Sequence, residues 1–523
     1  MSALVMIVPG NGPNHPDTFE RADSLYSDLI SKTECTRIIS LREDSSNETP
    51  VGLQELADSR GLPVSTHTIE RLDPSGFTGD EDQGTLWSEH MATIISNVGL
   101  RHDDATTDFL IGPGSGWNAS LLSSIHSVIG GSIWVSVLDD EGVAEAFRNG
   151  HELPDTPNSV STIAAAGKLS LEWGDQPFES VQLQGLVEGV PATEGIENTF
   201  RKHEGTLVSR RSTEDGKVTF ELTPEGRRIS MLALAEKWQP TSVKGGPRGL
   251  ILAARDAHDA KKTIETVEYL REHSPALDFK SYLVVVNKHG SNENQLAESS
   301  NDINAAVSGY IGESRVVTMP DSFVDADKDL ASSHFDLLSL IHRAREEYHG
   351  IDWSIEVSRF LSPLRPATLL YSYRSGIEAF CLLKNPDKSE DGIFASGLDP
   401  SKHRLALPNR EKLDRIREIL STDSIHKAVF TAALAKGDAD NPGTILSSNL
   451  KDGENRMYEW NRKKLQDGHP MRWPDMSEAS QRQEMSKKRN TGIEKGAFEE
   501  HKESFILTPE GFVAAFFLNP MGE

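Results

Sequence analysis

Cysteine is nearly absent from this 523-residue chain: Cys35 and Cys381 stand far apart, and neither belongs to a CxxC or Cys/His cluster. That excludes a disulfide framework and a structural zinc site, and no metal and no cofactor are expected. Long apolar runs are missing as well. Nothing approaches the ~18 residues of a membrane-crossing segment, so no membrane partner is expected. No GxxxxGK[ST] stretch occurs, which excludes that type of phosphate loop. Basic side chains are outnumbered, 54 lysines and arginines against 80 aspartates and glutamates, for a formal charge of −26. A protein that coats nucleic acid with its whole surface is therefore excluded, and any such contact must come from a local basic patch. The opening MSALVMIVPG has no basic n-region and turns at Pro9-Gly10. It reads as a first strand rather than a signal peptide, and a cytoplasmic location is the expectation.

What is present is an ordinary globular composition, long enough for three or four domains at roughly 150 residues each. One stretch, residues 107–137, can be read in order as strand, glycine turn, helix and second strand. Asp108 to Ile111 is a short apolar run, Gly112-Pro113-Gly114-Ser115-Gly116 breaks it, Asn118 or Ser120 can cap a helix, and Gly130-Gly131 stops that helix. Backbone N–H groups at such a turn can hold an anion without any charged side chain. Upstream, Leu4 to Val8 reads as a strand that opens into Pro9-Gly10-Asn11-Gly12-Pro13-Asn14. A helix near residues 19–29, a strand at 37–41, a helix at 51–59, a strand at 64–69 and a helix at 84–98 follow. The alternation predicts a doubly wound α/β domain with a Rossmann-like parallel sheet over residues 1–150, and two glycine turns at one carboxyl edge.

This order, with Gly10 and Asn11 after the first strand and Gly112, Gly114, Ser115 and Gly116 after a late one, resembles the CARF family of CRISPR-associated Rossmann-fold sensors. The resemblance implies a nucleotide messenger, a cyclic oligoadenylate or related nucleotide, as ligand. It also implies a homodimer and a role in antiviral defence. The ligand-binding residues implied are Gly10, Asn11, Gly12, Gly114, Ser115, Gly116 and Asn118.

Residues 151–175 are Pro-, Asn- and Ser-rich at first and read as a connection. Residues 205–228, GTLVSRRSTEDGKVTFELTPEGRR, read as strand, Asp-Gly turn, strand and a helix opening at Thr223-Pro224-Glu225. With helical candidates at 179–188 and 193–203, this region, 176–239, resembles winged helix-turn-helix DNA-binding domains, in which one of the usual three helices is here short or missing. Between residues 200 and 230 seven basic residues face five acidic ones, a positive patch in a negative chain. Lys202, Arg210, Arg211 and Lys217 are the candidate contacts to double-stranded DNA, able to neutralise phosphates from a helix and a wing.

After a linker at 240–249, residues 249–400 read as a second α/β domain, a degenerate copy of the first or a nucleotide-binding-type fold. Strands are expected at 250–254, 282–287 and 315–319, helices at 259–273, 294–310 and 325–348, and strand-like character at 367–383. Its first strand ends in Arg255-Asp256, without the glycine turn. Residues 410–523 read as helical and then, at 504–516, as an apolar strand and helix start. Thr-Pro-Glu-Gly occurs at 223–226 and again at 508–511, each time after an apolar strand. That repeat suggests two units, each an α/β domain followed by a winged helix, the second, winged-helix-like, with a long polar insertion.

The expected function is a ligand-responsive transcription regulator, with a sensor pocket coupled to DNA-binding winged helices. No catalytic residue is assigned. The weak candidates are Arg462 and His469, whose Arg-x6-His spacing resembles HEPN ribonucleases. The alternatives are accordingly a ligand-activated ribonuclease in the carboxyl-terminal half, or a non-catalytic scaffold that binds protein.

Overall fold

The structure is a computed structural model. It describes residues 3–8, 15–42, 48–68, 107–112, 116–129, 131–136, 143–147, 156–212, 217–237, 246–254, 257–271, 278–288, 301–306, 308, 316–318, 323–325, 329–382, 404–406, 444–446, 483, 487, 490–501 and 504–507. The expected helices at 84–98 and between 412 and 465 lie outside these residues, as do Arg462 and His469.

The chain begins β1 (Ala3–Val8), α1 (Phe19–Thr33), β2 (Arg37–Arg42), α2 (Val51–Arg60), β3 (Val64–Thr68). It continues with β4 (Thr107–Ile111), α3 (Gly116–Ile129), β5 (Ser132–Ser136) and β6 (Val143–Phe147). These strands form one six-stranded sheet in the order β3-β2-β1-β4-β5-β6. All pairs are parallel except β5 with β6. The result is a mixed α/β fold of the Rossmann-like kind, with strands buried on both faces as parallel sheets require. Gly131, with φ 95°, holds the break before β5: a Cβ there would sit 2.4 Å from the Thr107 carbonyl oxygen.

Next come α4 (Pro157–Trp173), a 3-10 turn (Ser180–Leu183), α5 (Thr193–Lys202), β7 (Val208–Ser212), β8 (Val218–Leu222) and α6 (Pro224–Lys237). Residues 151–175 are thus not merely a connection, because most of them build α4. The helix starts where Thr156 accepts a hydrogen bond from the Ser159 N–H and Pro157 takes the first turn. Its Ala- and Ser-rich body, Val160 to Ser170, is almost wholly buried. Of the expected helix at 179–188, only the 3-10 turn forms. β7 and β8 make the hairpin, Arg210 opposite Phe220, and Phe178 bridges Phe220 from the far side of β8.

The second half runs β9 (Arg248–Ala254), α7 (Ala257–Arg271), β10 (Phe279–Lys288), β11 (Val316–Thr318), β12 (Phe323–Asp325), α8 (Leu330–Glu347) and β13 (Asp352–Glu356). After a 3-10 turn (Ser362–Leu364) come α9 (Arg365–Ser375), β14 (Glu378–Leu382) and β15 (Arg404–Ala406). Residues 367–383, expected to be strand-like, are a helix and then a strand. Pro366 in the first turn starts α9, and the helix is buried on nearly every side, so no polar face betrays its period.

This sheet has the order β11-β10-β9-β13-β14-β15, with β12 also on β10. Counting β11 and β12 together as the third strand, it repeats the first sheet's order, down to the antiparallel last strand. The carboxyl-terminal strands β16 (Thr444–Leu446), β17 (Phe498–His501) and β18 (Ser504–Leu507) add a second echo. β16 pairs with β18 and β18 with β17, both antiparallel, just as Phe178 pairs with β8 and β8 with β7.

The largest apolar core joins all of these parts. Phe109, Leu121 and Phe147 of the first sheet region, Leu169, Phe200 and Leu232 of the hairpin region, and Leu337, Ile355 and Leu370 of the second half belong to it. α6 is the keystone, packed on α4, α8 and α9. Among the described residues no helix is long and apolar enough to cross a membrane.

Candidate functional site

β1 and β4 lie side by side and parallel, Ala3 opposite Thr107 and Met6 opposite Leu110. From β1 the sheet grows one way, to β2; from β4 it grows the other, to β5. Ligands of open parallel sheets bind where the strand order reverses in this manner, at the carboxyl ends. The turns carrying Gly10, Asn11 and Gly12 and carrying Gly114 and Ser115 follow these two strands. Both turns lie outside the described residues. Gly116 and Asn118 fall in the first turn of α3, the Asn118 side chain outside the described set. At Gly112 an added Cβ would meet none of the described residues within 4 Å.

The second sheet reverses its order at the equivalent point, between β9 and β13. No glycine turn follows β13. Instead Glu356, fully buried as the last residue of the strand, accepts from the Ser358 N–H at 3.0 Å and from the Ser358 hydroxyl. Arg359 donates to Asp259, in the first turn of α7, at 2.9 Å. Arg365, only 7% exposed, gives its Nη2 to the Ser358 carbonyl oxygen at 2.8 Å. Its Nε and Nη1 are buried with no hydrogen-bond partner among the described residues. A buried donor left unmade costs ~1–3 kcal/mol, so this one calls for an explanation. Burial works against the Arg365 charge, while Cys381 and Glu356 nearby favour it. No glycine pattern marks these five residues; their signal in the sequence is a strand ending in glutamate, followed by VSRFLSPLRP.

α3 packs on α9, and the turn before α9 packs on β5. Near one end of this pair, Ser120 of α3 lies against Cys381, which in turn neighbours Arg365 at the start of α9. Near the other end, His126 of α3 feels the charge of Arg374 in the last turn of α9. The helices therefore run in the same direction, and both amino termini stand at one seam. Burial pushes the Cys381 thiol up to about 12, so it stays a neutral thiol there.

Behind the seam, α6 sends Arg228 into the junction. Its guanidinium, 4% exposed, lies 4.2 Å from the Phe147 ring centroid, pairs with Glu225 and reaches His334 Nδ1 at 3.5 Å. His334 Nε2 donates to the Pro363 carbonyl oxygen at 2.7 Å, so the turn before α9 is tied to the same cluster. Burial, then Arg228, holds His334 down at about 3; burial above all holds His126 at about 4.

The expected nucleic-acid contacts lie on the hairpin region and are exposed. Lys202 ends α5, and Arg210 and Arg211 lie on β7. Arg211 pairs with Glu221 at 2.7 Å and Lys217 with Glu179 at 3.4 Å. Arg227 and Arg228, counted in the same basic patch, are turned inward: Arg227 pairs with Asp175 and lies over the Phe335 ring.

No protein-family model and no curated protein matches the chain. Among solved structures, similarity is found to protein VC1899 from Vibrio cholerae, at 11% identity over 67% of this chain and 99% of that one, with a TM-score of 0.21. UGT2 of Phytolacca americana (10% identity, 77% and 89% covered, TM-score 0.17) and a trehalose 6-phosphate synthase from Burkholderia multivorans (10%, 71% and 90%, 0.16) are also similar. At these values the likenesses bear on neither fold nor function.

Proposed function

We propose that the protein is a ligand-responsive regulator. A nucleotide messenger of the cyclic oligoadenylate kind binds where the two sheet reversals meet, and the winged-helix-like hairpin region binds double-stranded DNA. The observation that carries the reading is the joining of β4 and β13, through α3 and α9, at one seam to which α6 is also coupled. A ligand that favours one arrangement of the seam would bias α6, and with it the hairpin and α5. Support for the DNA-facing half is the order helix, 3-10 turn, helix, hairpin, helix, with Phe178 supplying the short third strand.

The test uses the full chain. Calorimetry with a series of cyclic and linear oligoadenylates is expected to show binding, and mobility shifts on duplex DNA are expected to change when the bound nucleotide is added. DNA affinity indifferent to every nucleotide in the series rejects the regulator. Affinity insensitive to salt would point instead to a scaffold that binds protein, since phosphate contacts give a steep salt dependence.

A further inference from the structure

Thr-Pro-Glu-Gly stands after Leu222 and again after Leu507, and the strands before it repeat one register. In the first unit Leu222 of β8 lies opposite Val208 of β7, and Phe220 opposite Arg210. In the second, Leu507 of β18 lies opposite Phe498 of β17, and Phe505 opposite Glu500. Arg210 and Glu500 therefore hold equivalent places in the two units. The charge at that place is reversed, and the reversal extends over a pair of residues: Arg210-Arg211 on β7, Glu499-Glu500 on β17.

Both strands are edges. Apart from a bridge at Val208, β7 pairs with β8 alone among the described residues, and β17 ends the order β16-β18-β17. An edge strand presents backbone N–H and C=O groups that can take a further strand, and the charges it carries select which strand that is. Two β7 strands side by side would set arginines against arginines, and two β17 strands glutamates against glutamates. β7 beside β17 matches both: an antiparallel register with Arg210 opposite Glu500 also brings Arg211 opposite Glu499. Within one chain the two strands lie in separate sheets, so a partner for each must come from elsewhere.

We infer that β7 of one copy and β17 of a second copy join as antiparallel strands, so that the basic and acidic hairpins of the repeat form an interface between chains. Around a two-fold axis the pairing occurs twice and closes a dimer. Arg210 and Arg211 are exposed, so the interface weakens as salt screens it. Arg211 is shared with Glu221 of its own hairpin, which makes Arg210 and Glu500 the pair to test. The inference does not rest on the proposed nucleotide or DNA ligand; duplex DNA that takes Arg210 competes with the second copy.

The experiment is sedimentation velocity of the full chain, without nucleotide or DNA, across a concentration series. Wild type is expected to dimerise, with a dissociation constant that rises about tenfold between about 0.05 and 0.5 M salt. Arg210→Glu alone and Glu500→Arg alone are each expected to weaken the dimer about tenfold, and the chain carrying both is expected to regain it. A second measurement mixes chains carrying Arg210→Cys with chains carrying Glu500→Cys under oxidising conditions. A covalent dimer of one chain of each kind is expected, since the native Cys35 and Cys381 are buried. Should either charge-reversed variant fail to fold, the cysteine mixture decides.

A wild-type chain that stays monomeric, a dimer indifferent to both reversals, or one not regained in the doubly exchanged chain overturns the inference. So does a cysteine mixture that yields no covalent dimer. None of these results touches the proposed binding of nucleotide or DNA, which is measured on its own.

Discussion

At the scale of single residues, the junction around Arg228 dictates how the protein responds to acid. His126 and His334 are buried and neutral, held near 4 and near 3, whereas in an unfolded chain both titrate near 6.5. Below that value the unfolded state binds protons that the folded state refuses. Their contribution to stability is complete above about pH 6.5 and is lost as pH falls toward the folded values, by about 2 kcal/mol each at pH 5. Urea titrations from pH 8 to pH 5 are expected to show the midpoint falling, with a shallower fall in His126→Leu, whose ring contacts are Phe109 and Phe147. A midpoint flat over this range contradicts the assignment. Arg228→Ala would remove the cation over Phe147 and leave Glu225 without its i,i+3 partner. Since Glu225 is partly exposed, the loss is expected at the low end for a broken buried pair, about 2–3 kcal/mol, read as a drop in melting temperature.

At the scale of elements, α6 depends on close approaches that only small residues permit. A Cβ on Gly226 would lie 1.8 Å from the Leu207 carbonyl oxygen, and one on Gly167 of α4 would lie 2.6 Å from Ser230 Oγ. The first obstacle is backbone, the second a side chain. Gly226→Ala is therefore expected to destabilise by roughly 2–4 kcal/mol with no rescue by neighbouring substitutions, whereas Gly167→Ala is expected to recover partly when combined with Ser230→Gly. Chemical denaturation of Gly226→Ala, Gly167→Ala, Ser230→Gly and the Gly167→Ala/Ser230→Gly double variant checks this. Thr-Pro-Glu-Gly was legible as a helix start because its parts act locally: Thr223 Oγ1 accepts from the Gly226 N–H at 2.9 Å and donates to the Thr206 carbonyl oxygen at 2.7 Å. α4 was not legible in the same way. Its Ala-Ser body carries no apolar stripe, and what makes it a core helix is the α6 helix packed on it from beyond the hairpin.

The exposed edge of the same region allows a finer test of DNA binding. Arg210 and Arg211 are neighbours on β7, but Arg211 is engaged by Glu221. If the hairpin meets phosphates, Arg210→Ala should lower the slope of log affinity against log salt by about 1, and Arg211→Ala by less. Equal and negligible effects in mobility shifts across a salt series would remove β7 from the interface.

For the molecule as a whole, the doubly wound order of the first sheet followed from alternating strands and helices, since βαβ connections leave few topologies open. The match between the two sheets did not. It depends on which strand each one pairs with, and on a fifth strand, β14, that followed a helix mistaken for extended chain. The seam was invisible for a related reason: it exists only where α3 of one half meets α9 of the other.

That meeting carries a last expectation. α6 buries Ile229, Met231, Leu232 and Leu234, and besides α4 it packs against α8 and α9, both beyond its own half. A break engineered between Lys237 and Arg248 leaves the covalent halves intact while separating these surfaces. Either half expressed alone would then present a large apolar face and is expected to aggregate, as exposed patches of that kind do. Co-expressed, the two are expected to purify together, because the shared core supplies the association that the chain now provides by connection. Soluble, separately folded halves that show no affinity for each other in co-purification would mean that the packing of α6 on α8 and α9 contributes little. The path from seam to hairpin would then have no mechanical basis.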